Sequence, residues 1–455
     1  MDKYYQFRNS YKNFIYKSFT VEKTAEEIVL TYHFETEGLT SFTPCIKIPT
    51  EGMELCNDYN SNTAKRIAFL LGMCECVSYL KATCSPVLKV ECGSLTSREK
   101  LWWRKLYFNG LGEFFYRNGI NASLDDFLTI DAEESEARLG EEFICKNKNL
   151  IPIGGGKDSA VTVELLRAYS DKNFFFTVND QQARLDTVEA AGYDRSRIIR
   201  TYRRISPELL QLNSQGFLNG HTPFSAIVAF LSLYCAYITG SENIILSNEA
   251  SANESNIEGS TVNHQYSKSY EFERDFSSYV KSLGLPVRYF SLLRPFTELQ
   301  IAAEFARHPQ YHGIFRSCNV GSKKNIWCSN CAKCLFVFCI LSPFLSEREL
   351  CEIFGENLLE KRELLEDLKG LTALSPVKPF ECVGTAAEVC FALELTIQRL
   401  KRDGEALPLL LDYYDKNKKE RPAKQNPLLE FNSEHNIPPQ LITTVREMYN
   451  YVSNS

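Results

Sequence analysis

The chain has 455 residues with 44% hydrophobic and 24% charged side chains, the balance of a globular protein of about two or three domains. Its formal net charge of −6 argues against a general nucleic-acid binder. Sixteen cysteines, with no apolar signal segment before Phe19 and no run longer than Phe224 to Ile238 to suggest a span, predict a cytoplasmic protein with free or metal-bound thiols and no membrane partner.

In chain order, Glu27 to Phe34 and Cys45 to Ile48 read as strands, punctuated by Gly38 and Pro49. From Ala64 to Ile120 the pattern reads as helical, including Arg98 to Tyr116. The acidic stretch Asp125 to Glu142 reads as a linker or an exposed helix. Residues 1–145 are therefore expected to form an α+β N-terminal domain.

The middle, residues 146–345, alternates as a parallel α/β sheet does. Strands are expected at Leu150–Ile153, Phe174–Val178, from Ile198, at Ile244–Leu246 and at Val287–Phe290. Helices are expected from Ala160, from Pro207, from Thr222-Pro223 with threonine as cap, and over Ser267 to Leu283. Residues 346–455 read as a helical C-terminal region. There Thr385-Ala386-Ala387-Glu388 forms a capping box, and Lys416 to Gln425 is a charged break.

Gly154-Gly155-Gly156-Lys157-Asp158-Ser159 sits between a predicted strand and a predicted helix. That geometry aims backbone N–H groups at an anion on the helix N-terminus, and glycine lets the main chain approach closely. The spacing is not that of a Walker A loop, because Ile151 and Asp158 stand where glycine and Ser/Thr are required. It resembles instead the pyrophosphate loop (PP-loop) of ATP pyrophosphatases, with Gly154 in place of the first serine. An ordinary glycine-rich turn is the bland alternative.

Cys328, Cys331 and Cys334, with Cys318 upstream, have the spacing of a four-thiolate zinc site, structural because no coordination position stays open. The spacing is similar to that of deazapurine synthases. Reduced buried cysteines and an iron–sulfur cluster are the alternatives. Ser247 to Asn256, with Asn248 and Glu249, follows a strand where such sheets bind ligands. His264 and Lys268, four apart, are expected on one face at a helix start, suited to an anion or to proton transfer. His221 and Thr222 offer a second anion site. Arg195, Arg197, Arg200, Arg203 and Arg204 read as a solvated face or a phosphate contact. Cys382 lies just ahead of a helix N-terminus, which lowers a thiol's pKa.

Taken together, the loop, Asn219 to Pro223, Ser247 to Asn253, Asn263 to Ser269, Trp327 to Cys334 and the stretch around Cys382 resemble the MurL family of UDP-linked muramoyl-dipeptide epimerases. Gly72 to Ala82 and Asn109 to Phe114 look similar too, so the resemblance covers nearly the whole chain. It implies a PP-loop core and ATP- and magnesium-dependent inversion of a terminal L-glutamate in peptidoglycan precursor synthesis, through carboxylate adenylation. It places Lys157 and the amides of Gly154, Gly155, Gly156 and Ser159 on phosphates and Asp158 near magnesium. Thr177 and Asn179 would border the adenosine, and His264, Lys268, Glu249 and Cys382 are the unranked acid/base candidates. A ligase or tRNA-modifying thiolase acting on another substrate is the first alternative. A nucleotide-binding sensor without chemistry is the second. The oligomeric state is not legible.

Overall fold

The computed structural model describes residues 3–134, 143–253, 263–418 and 426–454. The last residues of the polar run after Leu246, Glu254 to Asn256, lie outside them. So do much of the acidic stretch and most of the charged break. Eleven strands form one sheet: β1 (Asn13–Lys23), β2 (Glu27–Thr36), β3 (Thr40–Phe42), β4 (Cys45–Pro49), β5 (Val87–Ser94), β6 (Thr129–Glu133), β7 (Lys148–Pro152), β8 (Asn173–Val178), β9 (Ile198–Arg204), β10 (Ser241–Leu246) and β11 (Arg288–Ser291).

The sheet order is β11-β10-β7-β8-β9-β4-β2-β1-β5-β6, with β3 beside β2. Strands β11 to β9 are all parallel in that order. The antiparallel pairing of β4 with β9, Cys45 opposite Arg204, then joins them to the N-terminal strands. The architecture is thus α/β with a mixed sheet that runs continuously through the first two-thirds of the chain.

Neighbouring residues of the parallel strands alternate between two cores, one on each face of the sheet. Leu150, Phe176, Ile199 and Ile244 enter the first with the helices Asn62–Leu80 and Phe224–Thr239. Ile151, Phe175, Ile198 and Ile245 enter the second with the helices Lys157–Leu165 and Glu298–Ala306. Burial of both faces explains why these strands read as apolar runs rather than alternations. In β2 only alternate residues are buried, and Ile28, Leu30, Tyr32 and Phe34 are the inward set. Beyond Leu345 the described residues hold helices, including Glu347–Phe354, Ala386–Asp403 and Ile442–Val452, packed on the second core.

Several local expectations are corrected. Val87–Ser94 is a strand inside the stretch read as helical, because parallel pairing with β1 and β6 outweighs its interruption at Gly93. Part of the acidic stretch is β6 rather than linker or helix. The helix expected over Ser267 to Leu283 starts at Tyr270, capped by Ser269, and the residues before it form a short 3-10 turn. Thr222 is not a helix cap: its hydroxyl accepts from Lys81 Nζ at 2.7 Å, and Pro223 occupies the cap position. The stretch Glu347 to Leu368 is helical as expected, in pieces: a helix to Phe354, two 3-10 turns, and a helix from Leu365. The capping box of Thr385 and Glu388 is present as expected.

Strand order decides where a ligand sits. From β7 the chain moves outward through β8 and β9, then returns to place β10 and β11 on the other side of β7. The crevice at the carboxyl ends of β7 and β10 is therefore the topological switch point, where open α/β sheets bind ligands. No helix among the described residues is long and apolar enough to cross a membrane.

Candidate active site

A cavity of about 350 Å³ opens at that switch point. Its floor is the glycine loop after β7. Gly155 has φ +81°, a conformation that a side chain strains, and an added Cβ would lie 3.2 Å from the Ala183 main chain. The loop is fastened at two points: Gly154 N–H donates to Ser159 Oγ at 2.9 Å, and Arg316 N–H donates to the Gly155 carbonyl at 2.7 Å. Gly156 is the N-cap of the helix Lys157–Leu165 and supplies no side-chain cap. The first-turn N–H groups consequently lack an intrahelical or capping partner at the cavity floor, which suits a phosphate.

Around the loop lies a knot of charge. Asp158, Glu249 and Glu298 line the cavity with Lys268 and Lys333. Lys157 is buried, and its ammonium is bonded to both Asp158 and Glu298. Burial pushes the Glu298 carboxyl upward, and neighbouring Asp158 and Glu249 add to this against the pull of Lys157. Arg294, completely buried, donates to the carbonyls of Glu249 and Lys268 at 2.7 Å each and pairs with Glu273 at 2.9 Å. It thereby ties the loop after β10 to the turn that carries Lys268.

A further part of the lining carries a thiol, the thiol end. Cys382 lines the cavity, and Lys268 Nζ donates to its sulfur at 3.2 Å. His264 stands close enough for its charge to act on this sulfur, and Lys333 Nζ donates to the Cys382 carbonyl. Burial alone would push the Cys382 thiol up. The charges of Lys268, His264 and Lys333 outweigh it and bring the thiol down to about 6. Behind the thiol, His264 Nδ1 is bonded to Glu113, whose carboxylate also meets His221 Nδ1 at 3.3 Å and Arg117. Burial opposes the charged His264, but Cys382 and Glu113 raise it to about 9. His221, its ring 4.4 Å from His264, is instead lowered to about 4 by burial and by His264.

Cys318, Cys328, Cys331 and Cys334 converge beside the cavity, and Cys318 contributes to its lining. The sulfur separations are 3.9 Å (Cys318–Cys331), 3.7 Å (Cys328–Cys334) and 3.5 Å (Cys331–Cys334). Zinc–sulfur bonds of about 2.3 Å give a tetrahedron with edges of roughly 3.8 Å, so the cysteines fit such an ion without rearrangement.

The structure thus gathers Gly154, Gly156, Asp158, Ser159, Asn248, Glu249, Lys268 and Cys382 around one cavity. Lys157 departs from the expected placement: its ammonium is held by Asp158 and Glu298 and does not line the cavity. Thr177 is buried within β8, while its strand neighbours Phe176 and Val178 line the cavity, as period-two alternation requires. Asn179, at φ +58°, accepts from Arg203 N–H at 2.9 Å and is likewise absent from the lining. His221 and His264 sit one layer behind Cys382 rather than in the lining. His264 and Lys268 share no helix face, since a turn and not a helix carries them, yet both act on the same sulfur.

The arginine cluster is dispersed into separate contacts. Arg195 pairs with Glu189, Arg200 with Asp180, and Arg203 with buried Glu75. Sequence reasoning missed Glu113, Arg294 and Glu298, and it gave Lys333 only the part of offsetting the charge of the cysteine cluster. Glu113 does fall in the stretch that carried the family resemblance, which was the available signal.

Fold and site define an α/β protein with a glycine loop at the switch point and a cation-flanked thiol in the lining of the same cavity. Two family models match the chain, the MurL N-terminal domain over residues 6–292 and the MurL C-terminal domain over residues 314–426. A UDP-N-acetyl-alpha-D-muramoyl-L-alanyl-L-glutamate epimerase of Xanthomonas oryzae pv. oryzae is 33% identical over 401 residues, 85% of this chain and 87% of that protein. Proteins of the same name from a Micromonospora species and from Salinispora tropica are each 32% identical. They cover 88% of this chain and 90% and 88% of their own lengths respectively. The chain belongs to the MurL family.

Proposed function

We propose that this protein is the ATP-dependent epimerase that converts the terminal L-glutamate of UDP-N-acetylmuramoyl-L-alanyl-L-glutamate to D-glutamate, a cytosolic step of peptidoglycan precursor synthesis. Family membership supports the reaction. The observation that carries the mechanism is the uncapped glycine loop lining one cavity with Lys268 and Cys382.

The α-proton of a free carboxylate is hard to remove because the product would be a dianion. Adenylating that carboxylate makes the α-carbon acidic, and the site has parts for both tasks. On this reading the core is a PP-loop core. Gly154, Gly155, Gly156 and the first-turn amides hold the phosphates of ATP. Asp158, with Glu249 and Glu298 at hand, would hold the accompanying magnesium ion, whose chemistry is to neutralise the polyphosphate. Lys157 acts from behind, holding Asp158 and Glu298 in register rather than touching phosphate. Phe176, Val178, Gln181 and Arg184, in place of Thr177 and Asn179, border the nucleoside. The four cysteines would hold a zinc ion, which supplies rigidity to the wall carrying Lys333.

Incubation with ATP, magnesium and the UDP-linked L-glutamate substrate in deuterated water tests the reading. AMP, deuterium at the glutamate α-carbon and D-glutamate on hydrolysis are expected together. Inversion without AMP would remove adenylation, and folded protein showing neither would remove the epimerase assignment.

A further inference from the structure

The epimerase reading leaves open which group takes the α-proton. We infer that Cys382 is the base that removes it, and that His264 and Glu113 are positioning residues holding its sulfur as a thiolate.

Three observations converge on this sulfur. It lines the same cavity as the glycine loop, Asp158 and Glu298, so a glutamate activated at the loop shares one enclosure with this sulfur. Cations flank the sulfur: Lys268 Nζ donates to it at 3.2 Å, and the charges of Lys268, Lys333 and His264 favour its ionised form. The imidazole is itself fixed from behind, since Glu113 accepts from Nδ1 and is in turn held by Arg117 and His221. This Cys–His–Glu order is that of an activated nucleophile or base, with a third group orienting the ring. The surrounding groups are consistent with the ionised form, because the low thiol value arises against the effect of burial.

The other three candidates fit less well. Lys268 is held protonated by Cys382 itself, despite its burial, so it has no lone pair to accept a proton. His264 stands behind the sulfur and is charged for the same reason. Glu249 accepts from Ser251 Oγ at 3.3 Å, and with Asp158 and Glu298 it adds a carboxylate to the lining that suits a metal ion.

In the step itself, the Cα–H bond breaks and an S–H bond forms on Cys382. The electron pair left on Cα is delocalised into the activated acyl group, where the Lys268 and Lys333 ammonium groups offset the charge. Water delivers a proton to the opposite face, which inverts the centre. The Cys382 thiol then returns its proton to solvent, so no oxidant, reductant or further reactant is consumed.

The test separates the two half-reactions in the intact protein. Cys382→Ser is expected to retain substrate-dependent exchange of labelled pyrophosphate into ATP. It should lose deuterium incorporation at the α-carbon by about 100-fold or more, the scale of general-base catalysis. His264→Gln and Glu113→Gln are expected to lower kcat more than they raise KM. Both should also shift the pH profile of Cys382 alkylation, read on its own peptide by mass spectrometry, to higher pH, which a merely structural role would leave in place. Wild-type inversion rates in Cys382→Ser would overturn the assignment. So would loss of both half-reactions in folded protein, or an acyl adduct on Cys382 that hydroxylamine releases. Failure of the wild-type protein to exchange deuterium at all would instead overturn the epimerase reading. Should Cys382→Ser not fold, an unshifted alkylation profile in His264→Gln would overturn the proposal independently.

Discussion

The two ends of the cavity are built by different means. The loop end is a contiguous run of residues whose main chain does the holding, fastened by the Ser159 hydroxyl and the Arg316 main-chain N–H. The thiol end assembles Glu113, His221, His264, Lys268, Lys333 and Cys382 from segments far apart in the chain. Main-chain sites depend on conformation and tolerate new side chains where there is space. Side-chain sites depend on the identity and charge of each member. The thiol end therefore breaks on substitutions of charge, and the loop end on substitutions that alter φ.

The largest effect comes from disturbing both ends at once. The turn Cys331–Cys334 carries Lys333, which holds the Cys382 carbonyl, while Cys318 reaches the cavity near the loop. Cys331→Ser, or removal of zinc by a strong chelator, is expected to lower the melting temperature sharply and reduce both half-reactions together. Metal-linked folding energies in small zinc modules are of order 10 kcal/mol, so partial unfolding of this wall is the expected result. Metal analysis beside calorimetry checks it: loss of all metal with unchanged melting would remove the structural role.

Lys268→Met separates the ends. It removes the cation nearest the sulfur, so the thiol should rise toward its ordinary value of 9.0 and inversion should fall by about 10²–10⁴-fold near neutral pH. Pyrophosphate exchange should fall much less. In the unaltered protein the rate of inversion should climb through about 6 as the thiolate forms and decline near 9 as His264 loses its proton. Stability behaves differently. The depressed Cys382 thiol contributes stability present above 9.0 and lost as pH falls through about 6. The raised His264 contributes stability present below 6.5 and lost as pH rises through about 9. Between 6.5 and 9 the two slopes oppose, so this pair gives a bell-shaped rate over a nearly level melting temperature. A melting temperature that follows the rate across that window would show that the pH limbs report folding rather than proton transfer.

The same contrast explains what could be read before the fold was known. The loop and the four cysteines are short-range patterns: Gly154, Gly156, Asp158 and Ser159 line one cavity, and Cys318, Cys328, Cys331 and Cys334 converge beside it. Cys382, His264 and Lys268 were visible as separate reactive residues, but no spacing in the sequence joins them. Glu113 offers no chemical motif at all, because its role comes from the short helix Gly112–Arg117 meeting the turn at His264. Thr177 is buried one residue out of phase with the cavity, because strand alternation turns Phe176 and Val178 to it. Lys157 was assigned to phosphate on its position beside the glycines. The competing carboxylate, Glu298, comes from a helix 141 residues away.

The smallest effects come from the loop glycines, and they sharpen the contrast because two neighbours should answer oppositely. Gly155→Ala forces a side chain into a left-handed conformation at φ +81° with its Cβ 3.2 Å from Ala183 and Arg184 main-chain atoms. A cost of about 1–2 kcal/mol in stability is expected, with a rise in the KM for ATP as the amides turn away. At Gly154, φ lies outside the left-handed region, and an added Cβ meets only Ser159 Oγ at 3.6 Å, an ordinary contact. Gly154→Ser should therefore change stability by less than about 0.5 kcal/mol. Its hydroxyl would stand beside the amides at the cavity floor, so the KM for ATP should hold or fall slightly. Calorimetry and ATP titration of the two variants side by side would decide it. If both lose ATP affinity equally, the loop is read through side-chain space rather than main-chain conformation, and the distinction between the two ends fails.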